Sequence, residues 1–245
     1  AIFPAPGNQN VIDYVTISST GNATDFGDLT VSRRDAGALS SSTRGCFFGG
    51  AAAPITALDR CNIIDYITIS ITSNAIDFGD LTAEKRGQRG CSSSTRGIMS
   101  GGSDDASIIF NVIEYITIAT TGNAVDFGDL TQSRNTVGSF SSSTRGIFGG
   151  GYGTTSPGGG QLNTIDFITI STLGNAADFG DLTTARVSLA GCSNSTRGLF
   201  GGGRTPTNFN IIDYVTIASI GNAIDFGDLT VTRYTIGSCS SSTRG

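Results

Sequence analysis

The chain contains no histidine and no tryptophan, and its one lysine is Lys85. Without histidine, catalytic triads, imidazole acid–base chemistry and the commonest transition-metal sites are excluded. Only 14% of the residues are charged, against about 25% in a typical soluble domain. The surface must therefore be built mainly from serine, threonine, asparagine and glycine.

Long apolar runs are also missing. None reaches the roughly 18 residues that a membrane-spanning helix needs, and no signal peptide is visible, so we expect no membrane insertion. The five cysteines are an odd number, and Cys91, Cys192 and Cys239 recur at one position of different repeats. We expect these three to be small buried side chains with free thiols, which suits folding in a reducing cytoplasm.

The sequence is dominated by one segment that occurs five times. Its first copy, NVIDYVTISSTGNATDFGDLTVSR, runs from Asn10 to Arg33. The acid of its N-x-I-D motif stands at Asp13, Asp65, Glu114, Asp166 and Asp213, in steps of 52, 49, 52 and 47 residues. A period near 50 residues indicates propeller blades or another repeat array.

Each repeat predicts four short strands, which in the second repeat are 37–42, 45–50, 63–69 and 76–82. β-Branched and aromatic residues dominate the third strand, and both of its faces are apolar, so it must be covered on both sides. In the fourth strand, Phe26 and Leu29 are three residues apart. Gly27 between them predicts a β-bulge that turns both side chains to the same face.

These features predict an all-β fold, a single five-bladed β-propeller over residues 1–245 with four antiparallel strands in each blade. The last residues repeat a first strand, and the first residues resemble a second strand. We therefore expect the C-terminal strand to pair with the N-terminal blade and to close the ring, which leaves no open sheet edge. The predicted blades are residues 1–32 with 233–245, 33–84, 85–133, 134–185 and 186–232.

The repeat resembles the kelch repeat. The resemblance rests on a double glycine such as Gly49-Gly50, then N-x-I-D-Y, an aromatic residue, a leucine and an arginine. It covers all five units, but Phe26 and its counterparts stand where kelch has tryptophan, and Pro4-Ala5 replaces the first double glycine. The pattern DFGDLT…SSSTRG…FGGG is also similar to repeats in virion and tail proteins of marine and cyanobacterial phages. These resemblances imply a propeller and a role in a virion.

Several motifs are candidates for chemical sites. The DFG tripeptide occurs five times without the other protein-kinase motifs, which indicates a structural bulge. Asp25 and Asp28 either hold a cation, or accept backbone N–H groups, or pair with Arg33 or Arg44; we favour the structural roles and predict no metal and no cofactor. Acids that break the repeat, such as Asp59 and Asp104, lie in loops, so a glycan-processing enzyme is an alternative only.

A repeated arginine follows each predicted inner strand, in the motif S-T-R-G. In a propeller these side chains would surround one mouth of the axis, where they form a candidate anion site or else pair with acids of neighbouring turns. The five arginines are Arg44, Arg96, Arg145, Arg197 and Arg244.

The segments between the double glycine and N-x-I-D differ from copy to copy, and these loops are expected to share one face. Function often lies on loops that a rigid scaffold holds, and large aromatic and arginine side chains are the usual anchors of a contact. The candidate binding residues on this loop face are Arg60, Phe110, Tyr152, Arg204 and Phe209.

We therefore predict a non-enzymatic binding or structural module of a phage-type tail or surface appendage. Its partner would be a host surface glycan or another virion protein. A multivalent lectin with sugar pockets between blades is the alternative. The net charge of −5 comes from the repeated acids and bases, and there is no basic stripe, so we expect no nucleic-acid partner.

Overall fold

A computed structural model describes residues 2–4, 9–52, 60–104, 108–154 and 159–245, with the backbone alone for residues 2–4. In chain order the strands are β1 (Ile2–Pro4), β2 (Gln9–Tyr14), β3 (Thr24–Arg34), β4 (Gly37–Ser40), β5 (Arg44–Phe48), β6 (Ala51–Ala52), β7 (Ile63–Thr68), β8 (Ile76–Asp80), β9 (Arg89–Ser92), β10 (Arg96–Ser100), β11 (Val112–Thr117), β12 (Val125–Asp129), β13 (Arg134–Asn135), β14 (Gly138–Ser141), β15 (Arg145–Gly149), β16 (Tyr152–Gly153), β17 (Gly160–Gln161), β18 (Thr164–Thr169), β19 (Ala177–Asp181), β20 (Ala190–Ser193), β21 (Arg197–Gly201), β22 (Arg204–Thr205), β23 (Thr207–Asn208), β24 (Ile211–Thr216) and β25 (Ile224–Asp228). The described part of the chain contains no helix, and so none that could cross a membrane.

The strands form six antiparallel sheets of three or four strands, and a short ribbon of β22 and β23. The five four-stranded sheets follow the repeats, and we number them in chain order: sheet 1 is β1-β2-β3-β6, sheet 2 is β4-β5-β7-β8, sheet 3 is β9-β10-β11-β12, sheet 4 is β14-β15-β18-β19 and sheet 5 is β20-β21-β24-β25. The four-stranded antiparallel unit predicted from each repeat is thus confirmed for sheets 2 to 5.

The bulge predicted for the fourth strand of each repeat is present; in the first repeat this strand is β3. In sheet 1, Ile12 lies opposite Gly27 but Asp13 lies opposite Asp25, so Phe26 is the extra residue. The same shift occurs in sheets 2 to 5. Phe26 and Leu29 are both buried, as the spacing predicted. The tyrosine of the neighbouring strand packs edge-to-face on the bulged phenylalanine, with Tyr14 and Phe26 ring centres 5.8 Å apart.

The first strands of sheets 2 to 5 (β4, β9, β14 and β20, here the inner strands) lie side by side. Serine hydroxyls join neighbouring inner strands: Ser92 donates to the carbonyl of Ser40, and Ser141 donates to the carbonyl of Ser92. The C-terminal segment continues this pattern, because Ser240 donates to the carbonyl of Ser193. Small residues are required here because adjacent inner strands approach closely; a Cβ on Gly191 would lie 2.5 Å from the carbonyl oxygen of Ser139.

The predicted closure of the ring is not present. Residues 233–245 form no strand, and β1 is the open edge of sheet 1, bonded to β2 alone within the described residues. The fourth strand of sheet 1 is instead β6, which pairs with the extended end of β3 at Arg33 and Arg34. The C-terminal segment bonds to β20 and stays exposed on its other side, because no described strand reaches it there.

Candidate functional site

The repeated acids and bases lie at the junctions between successive sheets. Arg33 lies near the end of β3 in sheet 1 and reaches Asp65 in β7 of sheet 2, with Nη2 and Oδ2 2.9 Å apart and both side chains fully buried. The same junction recurs three times along the chain. The four pairs are Arg33–Asp65, Lys85–Glu114, Arg134–Asp166 and Arg186–Asp213.

A threonine completes each junction. Thr30 donates its hydroxyl and its backbone N–H to the two carboxylate oxygens of Asp65. Thr131 and Thr183 donate in the same way to the acids of their junctions, and Thr82 donates both groups to Oε1 of Glu114. Buried charges are tolerated where such partners satisfy them. These buried charges therefore join neighbouring sheets. The expectation that Asp25 or Asp28 pairs with Arg33 is wrong, because the partner is the N-x-I-D acid of the next sheet.

Asp25 and Asn74 have backbone roles. The Asp25 carboxylate accepts the N–H of Gly27 within the bulge. The Asn74 side chain accepts the N–H of Asp28 in the neighbouring sheet, and this contact recurs at the next three junctions. Among the described residues there is no cluster of three or more histidine, cysteine, aspartate or glutamate side chains that could hold a metal ion.

Four arginines of the S-T-R-G motif stack on aromatic rings of their own sheet. Arg44 lies 4.5 Å from the centre of the Tyr66 ring and donates to the carbonyl of Ile118 in the next sheet. Arg96 and Arg145 are held in the same way by Tyr115 and Phe167, and Arg197 lies over Tyr214. Arg197 and Arg244 are exposed.

A cavity of about 390 Å³ opens beside these arginine turns. It is lined by serines and one asparagine from four turns, and by none of the five S-T-R-G arginines. Hydroxyl groups rather than guanidinium groups therefore surround this end of the inner strands.

The candidate residues of the loop face are largely engaged in contacts within the chain. Arg60 is buried and donates to the carbonyl of Ser103 at 2.7 Å. Phe110 is half-buried beneath the ammonium of Lys85. Tyr152 in β16 and Phe209 are also half-buried. Arg204 alone among these five is exposed, and it lies over the Tyr234 ring at 4.6 Å. Asp59, a candidate acid for catalysis, lies outside the described residues.

A wider opening, of about 700 Å³, lies at the other end of the inner strands, and we call it the central cavity. Residues from all five repeats line it. They include Ala36–Ala38, Arg89 and Gly90, Val137–Ser139, Leu189–Gly191 and Thr235–Ser238. The inner strands of sheets 2 to 5 and the C-terminal segment therefore border one space.

Charges that break the repeat meet at this cavity. Arg34, Asp35 and Arg89 are among its lining residues. The Asp35 carboxylate lies 3.9 Å from Arg34 Nε and 3.9 Å from Arg86 Nη1. Asp35 adopts a positive φ of 55°, in a turn between β3 and β4. The residues are far apart in the sequence, and the fold brings them together where sheets 2 and 3 adjoin.

Burial and neighbouring charge act on the arginines of this cluster. Burial lowers the pKa of Arg89, and the negative charge of Asp35 acts in the opposite direction. Burial also lowers the pKa of Arg60, and the positive charge of Arg86 adds to that effect. Arginine remains charged in proteins despite such shifts, so the cluster carries more positive than negative charge.

The cysteines differ in burial. Cys46, Cys61 and Cys91 are buried, but Cys192 is half-buried and Cys239 is exposed. The expectation of burial is therefore wrong for Cys239 and is met only in part by Cys192. Cys239 lies in the C-terminal segment, which no described strand covers on the side away from β20. All five thiols are free, as expected.

No protein-family model matches the chain, and no curated protein sequence matches it. The resemblance to kelch and phage repeats therefore rests on the motifs alone. The sequence-based candidates did not include Arg34, Asp35, Arg86 and Arg89. One signal pointed to them, since they are among the few charges that do not recur from repeat to repeat.

Proposed function

We propose that the protein is a non-enzymatic binding or structural module that presents its variable loops and its central cavity to a partner. One observation carries this proposal. Four of the repeated N-x-I-D acids form buried junctions with bases at the Arg33 position of the preceding repeat, whereas several charges that break the repeat gather at the central cavity. The scaffold is thus uniform and the distinctive chemistry lies at one end of it.

The proposal includes the fold of a five-bladed propeller in which sheet 5 meets sheet 1. Support comes from matching groups on the two open faces. Sheet 5 exposes Thr230 and Arg233, which correspond to Thr30 and Arg33, while sheet 1 carries Asp13 in the place of Asp65. The described residues show no junction partner for these groups. Residues of the first repeat, such as Leu29, and of the last, such as Leu189, also line the same cavity.

The proposed partner is a host surface glycan or another virion protein, and the proposed location is a phage-type tail or a cell-surface appendage. This part rests on the resemblance of the DFGDLT and SSSTRG motifs to phage virion repeats. Loops that vary while their scaffold repeats are typical of recognition surfaces. Arg204 and Arg34 are exposed or half-exposed arginines suited to such a contact.

A glycan array probed with the labelled 245-residue chain tests the proposal. We expect saturable binding to at least one acidic glycan, competed by the free sugar. If no glycan on the array is bound, a glycan partner is excluded, and another virion protein remains as the proposed partner. Conversion of any arrayed glycan, detected as a product by mass spectrometry, would overturn the non-enzymatic assignment. The heat-unfolded chain serves as the control for non-specific adsorption.

A further inference from the structure

The central cavity contains one guanidinium group that the repeat does not require. Arg89 begins β9, and Gly37, Gly138, Ala190 and Gly237 occupy the equivalent place in the other inner segments. Small residues suit this position because the inner strands crowd together. An arginine there is an exception to the packing rule of the repeat, so folding alone does not explain it.

Most of the hydrogen-bonding capacity of Arg89 is unused. Its Nη1 donates to the carbonyl of Gln88 at 2.9 Å. The described residues place no carboxylate within ion-pair distance of it, and none of its nitrogen atoms is among the buried atoms that lack a partner. A guanidinium has five N–H donors. The remaining donors of Arg89 therefore face accessible space, and the side chain borders the central cavity.

The surroundings of Arg89 are positive. Asp35 is the acid that lines the cavity, and its single charge lies between Arg34 and Arg86 at 3.9 Å from each. Three arginines thus share one carboxylate, which leaves the cluster with an excess of positive charge. Most of the remaining lining is small or apolar, as at Ala38, Val137 and Leu189, so few other polar groups compete for a ligand there.

We propose that the central cavity binds a small carboxylate ligand, such as an acidic monosaccharide, through the guanidinium of Arg89. This inference deepens the proposed binding role and rests on it. The cavity volume of about 700 Å³ lies within the range of about 300–1,000 Å³ that small-molecule sites occupy. A carboxylate matches the paired donors of one guanidinium. A phosphate dianion has three acceptor oxygens to satisfy and needs more donors than one guanidinium supplies.

Calorimetric titration of the whole chain with D-glucuronate, at low salt, tests the inference. D-Glucose is the matched ligand without the carboxylate, and inorganic phosphate is the competing anion. The first variant is Arg89→Ala, which places at this position the residue that Ala190 already provides in sheet 5. Circular dichroism checks that this variant is folded. If it is not, Arg89→Gly, which copies Gly138 of sheet 4, serves as a second variant. Arg145→Lys is the control variant, because Arg145 lies in an arginine turn at the other end of the inner strands and does not line the central cavity.

We expect glucuronate to bind wild type and glucose not to bind. Loss of a charge-assisted contact should weaken glucuronate binding by roughly tenfold or more in Arg89→Ala, and Arg145→Lys should bind like wild type. Equal affinity of wild type and Arg89→Ala, binding of glucose, or displacement by phosphate as effective as by glucuronate would overturn the inference. A positive glycan array without glucuronate binding would overturn it while leaving the proposed function standing.

Discussion

Arg33 and Asp65 form a fully buried ion pair between sheets 1 and 2, with Nη2 and Oδ2 2.9 Å apart. Arg33 also donates to the carbonyl of Phe47, so the guanidinium ties the end of β3 to two strands of the next sheet. This one contact shows how the repeats are joined, because each base lies in one sheet and its acid lies in the next.

Removing one partner of this pair should be strongly destabilising. Asp65→Asn leaves the charge of Arg33 buried without its carboxylate, and we expect a loss of about 3–5 kcal/mol in the free energy of unfolding. Urea denaturation measures it. Asp77→Asn changes an exposed acid of the same sheet and is the control. A change in Asp65→Asn no larger than in the control would contradict the junction.

The bulged phenylalanines provide a test of the proposed contact between the first and last sheets. Phe78 is 2% exposed, but Phe226 is 51% exposed on the open face of sheet 5. Phe78→Ala should cost about 3–5 kcal/mol. If sheet 5 meets sheet 1, Phe226→Ala should cost nearly as much, and that is the result we expect. A loss below about 1 kcal/mol for Phe226→Ala would mean that this face of sheet 5 stays exposed to solvent, which would contradict the proposed contact between sheets 5 and 1.

The glycine of the bulge should not tolerate a side chain. Gly128 has a φ of 144°, and a Cβ on it would lie 2.5 Å from the backbone of Gly174 in the next sheet. Because both strain and a clash with backbone follow, Gly128→Ala should lower stability by about 3 kcal/mol or more. Gly160→Ala is the control, since nothing lies within 4 Å of a Cβ at that position and its φ is not positive. Melting temperatures of the two variants compare them, and equal values would argue against the close approach.

Arg44 should act through its fixed geometry rather than through its charge alone. Arg44→Lys keeps the positive charge but loses the planar group that stacks on Tyr66 and reaches the carbonyl of Ile118. We expect a loss of about 1–2 kcal/mol in stability. Thermal unfolding measures it, with Arg204→Lys, an exposed arginine over Tyr234, as comparison. Equal stability of Arg44→Lys and wild type would favour the anion-site interpretation of the arginine turns.

The thiols should differ in reactivity. Burial raises the pKa of Cys46 and of Cys91 to about 12. At pH 8 their thiolate fraction is then on the order of 1 in 10,000, and since the thiolate is the nucleophile they should resist alkylation by iodoacetamide. Cys239 is exposed and should react first. Mass spectrometry of peptides locates the label, with the urea-unfolded chain as the fully reactive control. Rapid labelling of Cys91 in the folded chain would contradict its burial.

The sequence predicted the strands and the bulge because both depend on local patterns. The spacing of Phe26, Gly27 and Leu29 was sufficient for the bulge, and the apolar third strand was recognisable from its composition. The partner of Arg33 was not predictable in this way, because Asp65 lies in the next repeat and the choice among repeated acids depends on how sheets pack.

The charged cluster at the central cavity was beyond sequence reasoning for a similar reason. Asp35 and Arg89 belong to different repeats and are 54 residues apart, so the sequence alone does not show that they lie close together. Their proximity depends on the turn at Asp35 and on the side-by-side arrangement of β4 and β9. Likewise, Arg60 is a loop residue in the sequence, but the fold buries it against Ser103.

The pair Lys85–Glu114 distinguishes one junction from the other three. Lysine reaches less far than arginine and glutamate reaches further than aspartate, so the two changes compensate and the contact is kept at 2.6 Å. If repeats were exchanged, Lys85 would face an aspartate and Arg33 a glutamate, and neither combination would have matching reach. Lengths of two side chains can thus encode the order in which otherwise near-identical units assemble.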